Sequence, residues 1–164
     1  MDEFALTCER IAATGSHLEK IAILAEYFSQ LDDENLTRAI RFLTGNPVAS
    51  APREQTLFGF EDPPKLAIGH ATLRRALQLA TGWDLETLRQ CQRAVGDTGE
   101  TVGHLLRDRS KGENLPLCLA EDLLFQLLAE RQPTRRESLL AEAFKRHRPL
   151  ALKYLVKSLS GNFR

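Results

Sequence analysis

Three cysteines, one methionine, one tryptophan and no apolar run approaching 18 residues set the first bounds on this 164-residue chain. Without such a run, no segment suits a membrane-crossing helix. The amino terminus, MDEFALTCERIAA, is acidic and amphipathic, and it lacks the basic head and apolar block of a secretory signal. Cys8, Cys91 and Cys118 are odd in number, far apart and never in a C-x-x-C arrangement. That argues against structural zinc and against a disulfide framework, and it predicts three buried thiols in a reducing compartment. An excess of charge is missing too, since 22 Lys and Arg balance 22 Asp and Glu. Binding to a polyanion would therefore need a local asymmetry rather than bulk attraction.

Catalytic signatures are equally scarce. No G-x-S-x-G, G-x-x-x-x-G-K-[ST] or G-x-G-x-x-G occurs. His17, His70, His104 and His147 show neither H-E-x-x-H nor His-x-His spacing, so neither a metal site nor a catalytic residue is assigned.

What is present is an internal repeat. Residues 20–46, KIAILAEYFSQLDDENLTRAIRFLTGN, align without a gap, 116 positions on, with residues 136–162, RESLLAEAFKRHRPLALKYLVKSLSGN. Leu24, Ala25, Glu26, Phe28, Leu36, Leu43, Gly45 and Asn46 recur as Leu140, Ala141, Glu142, Phe144, Leu152, Leu159, Gly161 and Asn162. The apolar spacing is i, i+3, i+4, i+7, so each copy reads as a helical hairpin closed by a Gly-Asn turn. The copies differ in charge. Residues 20–46 carry three cations against four anions, whereas residues 136–162 carry six against two. This predicts a basic face on the second copy; a merely solvated helix surface is the plainer alternative.

The pattern predicts an all-α, compact multi-helix domain of residues 1–164 with two pseudo-symmetric helical-hairpin halves. Helices are predicted at 2–13, 17–30, 34–44, 70–80, 85–95, 98–108, 119–131, 135–147 and 149–160, with no strands. Ser16-His-Leu-Glu19 and Thr134-Arg-Arg-Glu137 read as capping boxes, Asp84 as an N-cap and Gly82 as a C-cap. Residues 46–66 hold four of the seven prolines and read as a loop pinned by Phe58 and Phe60. A second irregular stretch, 109–116, is expected to cross the surface. The last helix reaches almost to Arg164, which suggests a piece of a longer polypeptide.

Two glycine turns are candidate phosphate contacts. Gly96-Asp97-Thr98-Gly99 stands between two predicted helices, where it is either a plain capped turn or a set of outward N–H groups able to hold a phosphate. Gly161-Asn162-Phe163-Arg164 follows a helix end, and its arginine offers five donors.

At these turns the chain resembles the N-terminal DNA-binding domain of ATP-dependent DNA ligases. Three blocks carry the resemblance: Thr14-Gly-Ser-His-Leu-Glu-Lys20 with Phe42-Leu-Thr-Gly45; Ala67-Ile-Gly-His-Ala-Thr-Leu-Arg-Arg-Ala76 with Ala80-Thr-Gly82 and Gly96-Asp-Thr-Gly99; and Arg135-Arg136 through Gly161-Asn-Phe-Arg164. The resemblance implies a two-fold pseudo-symmetric domain on the minor groove of nicked double-stranded DNA, gripping phosphates on both sides of the break. It further implies partnership with the ligase's own adenylating and OB-fold domains, and no membrane. The DNA-binding residues carried over are His17, Lys20, Gly96, Asp97, Thr98, Gly99, Arg135, Arg136, Lys153, Lys157, Gly161, Asn162 and Arg164. Asn162 and Phe163 depart from the family's basic-Leu pair, which implies weaker or shifted phosphate binding there. The adenylation motif Lys-x-Asp-Gly is absent, so ATP and magnesium are implied only for the full-length ligase and not for this segment. Repair, replication and recombination are the implied settings, in the cytoplasm of a prokaryote or in a nucleus. The rival expectation is a non-enzymatic helical protein–protein interaction module, with Leu57, Phe58 and Phe60 as its exposed apolar patch.

Overall fold

The computed structural model describes residues 1–48, 55–56, 59–60, 68–108 and 110–160. Among these, the chain forms helices α1 (Asp2–Ala13), α2 (His17–Phe28), α3 (Asp33–Leu43), α4 (His70–Thr81), α5 (Leu85–Val95), α6 (Thr98–Leu106), α7 (Leu117–Ala129), α8 (Pro133–Arg146) and α9 (Pro149–Ser160). The domain is all-α, apart from one small feature that the sequence did not predict. Gln55–Thr56 (β1) and Gly59–Phe60 (β2) pair antiparallel, with Gln55 opposite Phe60 and Thr56 opposite Gly59. Two-residue strands are too short to leave a period-2 signal. The predicted pinning by the Phe58 and Phe60 side chains lies outside the described residues.

Local chemistry explains most helix ends. Ser16 caps α2 by accepting from the Glu19 amide at 3.4 Å, and Asp84 caps α5 by accepting from the Glu86 and Thr87 amides, each at 2.9 Å. Gly82 closes α4 in the left-handed region. The predicted cap at Thr134 is not used. α8 starts two residues earlier than predicted, at Pro133, with Gln132 as its N-cap and no side-chain cap bond. Proline's fixed φ suits the first helical position and carries no N–H that would need a partner there.

The sequence repeat coincides with matched helix starts. α2 and α8 begin at His17 and Pro133, and α3 and α9 at Asp33 and Pro149, both pairs at the 116-residue spacing of the sequence. α1 and α7 end at Ala13 and Ala129, at that same spacing, so each copy gains a preceding helix. Packing between the triplets is reciprocal, with α1 against α9 and α3 against α7.

The triplets differ in what covers them. α4 lies along α8 and α6 along α9, the two most extensive helix pairings among the described residues, and no described helix covers α2 or α3 to that extent. Equivalent residues therefore have different fates. Ala141 and Val156 are buried, whereas Ala25 and Ile40, their counterparts, are exposed. Phe4 sits fully buried among Tyr27, Phe42 and Tyr154, with ring centroids 6.4, 5.9 and 6.5 Å away, and so joins α1, α2, α3 and α9. Around it the leucines of α4 to α9, among them Leu73, Leu88, Leu124, Leu140 and Leu152, complete one continuous core.

The stretch before α7 does more than cross the surface. Lys111 and Glu113 donate backbone bonds to Lys145 and Arg146, Glu113 accepts from Arg148, and the buried Leu115 amide donates to Asp2 at 2.8 Å. It straps the α8–α9 corner to α1. Only Cys8 of the three thiols is buried; Cys91 is half-buried and Cys118 exposed, because α5 and the first turn of α7 turn those positions outward.

Candidate nucleic-acid interface

The turn between α5 and α6 is built as a double cap. Gly96 ends α5 with φ +79°, a conformation that costs a side chain strain, and its amide donates to Gln92. Asp97 then opens α6, its Oδ1 accepting from the Glu100 amide at 2.7 Å. Thr98 and Gly99 are buried. A Cβ placed on Gly99 would come within 2.6 Å of Lys157 Cγ and 2.7 Å of the Lys153 carbonyl, so this glycine permits α6 and α9 to approach.

That approach decides the fate of the predicted lysines. Lys153 and Lys157 share a face of α9, with side chains only 13% and 12% exposed. Lys153 donates to Glu9 of α1 at 2.5 Å and lies 2.8 Å from Glu100 of α6. Lys157 lies 3.4 Å from Asp97 and 3.2 Å from Glu100. Tyr154 adds a hydroxyl donor to Glu9 at 2.9 Å. Burial pushes the Glu9 carboxyl up, but the bonds from Lys153 and Tyr154 outweigh it and hold Glu9 below the usual glutamate range. Lys153 is stabilised in its charged form, its desolvation overcome by the bonds to Glu100 and Glu9. Beside them the Cys8 thiol, pushed up to about 12 by burial first and by Glu9 second, is unreactive.

The expected basic face of the second copy is therefore compensated from within. Besides the two lysines, Arg146 holds Glu113 at 2.5 Å, Arg148 faces Asp2 at 3.5 Å and Lys145 faces Glu142 at 3.9 Å. Arg136 donates to the Glu130 carbonyl at 2.6 Å, and the exposed Arg135 lies 3.8 Å from its carboxylate. The extra cations answer acids on α1, α6 and the strap, which the first copy does not have to meet.

The structure brings Lys20, Lys153 and Lys157 to one cleft of about 500 Å³, which Glu9, Glu100, Tyr154 and Leu43 also line. Asp97 and Gly99 stand at its edge through Lys157. His17 is the exposed first residue of α2. Arg135 and Arg136 lie in the first turn of α8 and are not among the residues of this cleft. Gly161, Asn162 and Arg164 lie outside the described residues, as do Leu57 and Phe58 of the rival apolar patch. Exposed apolar side chains do occur on α2, at Leu18 and Ile21.

Sequence reasoning missed a second group of cations beside the same turn. His70 and Arg74 of α4 face Arg89 and Arg93 of α5 across Gly96 and Thr98. Each pair is spaced i, i+4, which puts it on one helix face; that spacing was the available signal. Among the described residues, no group of His, Cys, Asp and Glu has the arrangement of a metal site.

Comparison with known proteins agrees over the whole chain. The family described as DNA ligase N terminus matches residues 1–164. A probable DNA ligase of Koribacter versatilis is 29% identical over 165 residues, covering 100% of this chain and 27% of the relative. A DNA ligase of Methanoculleus marisnigri is 30% identical over 164 residues, covering 96% and 28%. A probable DNA ligase of Opitutus terrae is 26% identical over 195 residues, covering 98% and 18%. The chain thus spans between 18% and 28% of the length of these relatives.

Proposed function

Because the chain belongs to the DNA ligase N-terminus family, we propose that it is the part of an ATP-dependent DNA ligase that holds nicked duplex while other domains seal the break. The observation that carries this reading is the match along residues 1–164, with DNA ligases among the relatives. Its mode of binding is sequence-independent contact with phosphate and sugar on the minor-groove side, which positions the enzyme without reading bases.

The charge layout supports that mode. Acids that would repel a phosphate, Glu9, Asp97 and Glu100, face α9 and are held by lysines. Lys20 and the arginines flanking the α5–α6 turn remain for an outside anion. Adenylation chemistry, with ATP and magnesium, belongs in this proposal to an adenylating domain. The sequence holds no Lys-x-Asp-Gly to form the adenylated lysine. The adenylating and OB-fold domains are the proposed partners. No helix among the described residues is long and apolar enough to cross a membrane.

The test is fluorescence anisotropy of the chain with labelled nicked duplexes of unrelated sequence. Binding of all of them within about threefold is expected. Failure to bind at low salt, or a strong preference for one sequence, overturns the proposal.

A further inference from the structure

Beside the α5–α6 turn, and sharing no lining residue with the lysine cleft, is an open cleft of about 630 Å³ with walls from α4, α5 and the start of α6. Its charged lining is all cationic: Arg74 from α4, Arg89 and Arg93 from α5, with His70 beside them. Arg89 and Arg93 are exposed, and among the described residues the one carboxylate paired to these cations is Glu86, 3.4 Å from Arg89. Arg74 and Arg93 have no carboxylate partner among the described residues, a local excess in a chain of zero net charge.

The polar groups between the cations are already arranged. Gln92 Oε1 accepts from Arg74 at 3.5 Å, which leaves Gln92 Nε2 to donate to His70 Nδ1 at 3.2 Å and to Thr98 Oγ1 at 3.3 Å. With Nδ1 accepting, the neutral imidazole carries its proton on Nε2 and keeps that donor for a ligand. α4 begins at His70 behind Gly69, whose missing side chain leaves the first amides without a side-chain cap. The positive end of that helix therefore adds to the guanidinium charge.

The geometry points to this cleft as a phosphate-binding site, formed by His70, Arg74, Arg89 and Arg93 and ordered by Gln92, that takes a backbone phosphate of nucleic acid. The guanidinium forks match phosphate oxygens two at a time. The inference rests on the DNA-holding reading for the source of the phosphate, not for the chemistry of the site.

Two measurements test it. In the first, a labelled nicked duplex is titrated with the wild type, R74A/R93A, R93A alone and R74K/R93K, each checked for fold by circular dichroism. R74A/R93A is expected to weaken binding at least tenfold and to reduce the salt slope by about one, for the one phosphate that the site holds. R93A, an exposed change, is expected to weaken it severalfold, and the lysine pair to fall between R74A/R93A and wild type. Wild-type affinity within twofold in R74A/R93A overturns the site. In the second, inorganic phosphate is titrated into the 15N-labelled chain. Shifts at the Gln92 side-chain amide and the Gly96 and Thr98 backbone amides, lost in R74A/R93A, are expected. Shifts elsewhere, or identical in the variant, overturn the site. A wild type that ignores DNA yet takes phosphate at these amides keeps the site and removes the DNA-holding reading.

Discussion

The ammonium of Lys153 lies 2.5 Å from the carboxylate of Glu9 and ties the ninth helix to the first. The same lysine stands 5.3 Å from the centroid of the Tyr154 ring. Removing it leaves Glu9 and Glu100 facing a gap, so Lys153→Met is expected to cost about 2 kcal/mol. That is below the full cost of breaking a buried pair, because Glu9 is partly exposed. Urea unfolding measures it. Glu9 also sets a direction with pH: its folded carboxyl titrates below its unfolded one, so its stabilisation is present above the ordinary glutamate range and is lost as pH falls through the folded value. Glu9→Gln should flatten that acid limb; an unchanged limb would place the titration elsewhere.

The other triplet makes the corresponding connection with different residues. Arg38 and Arg41 of α3 hold Glu121 of α7 at 2.9 and 3.3 Å, and the Glu121 side chain is only 11% exposed. Arg41→Ala leaves one guanidinium in place and is expected to cost under 1 kcal/mol. R38A/R41A strands the carboxylate and is expected to cost about 3 kcal/mol, most of it recovered by adding Glu121→Gln. A double-mutant cycle read by thermal or urea unfolding checks the coupling.

Much of this was legible in the chain. The 3.6-residue spacing gave nine helices nearly at their observed ends, because caps such as Ser16, Asp84 and Asp97 act within a few residues of themselves. The charge contrast between the copies was legible as well, but not its meaning. Lys153 and Lys157 meet Glu9, Asp97 and Glu100 across up to 144 positions, and only the fold shows that α6 lies on α9 while no described helix covers α3 comparably. The cationic cleft escaped for the same reason: His70 and Arg74 become neighbours of Arg89 and Arg93 only when α4 and α5 pack together.

Gly99 is where that cover is closest. Gly99→Ala puts a methyl group into Lys157 Cγ and the Lys153 carbonyl, and one of those is backbone that must shift. A loss of about 1–3 kcal/mol is expected, as for overpacking in a filled core. Equilibrium unfolding measures it, and wild-type stability in the variant would contradict so close an α6–α9 approach.

Met1 offers a second, separable pH effect. Its amine is lowered to about 6, by burial first, against which Asp2 acts weakly. Below about pH 6 both folded and unfolded chains hold the proton, and above about pH 8 neither does. Between them the unfolded chain takes up a proton that the folded one refuses, so stability rises with pH across that window. Melting temperature measured from pH 6 to 8 should climb, and acetylation of the amine should remove the climb.

The central claim is that this domain holds duplex DNA through its phosphates, and salt reads that most directly. Anisotropy of a nicked duplex with the wild-type chain, titrated from about 50 to 300 mM salt, should give a log–log slope of roughly −4 to −5, as expected when about five phosphates are neutralised. A slope near zero with affinity retained at high salt, or no binding at low salt, would contradict it.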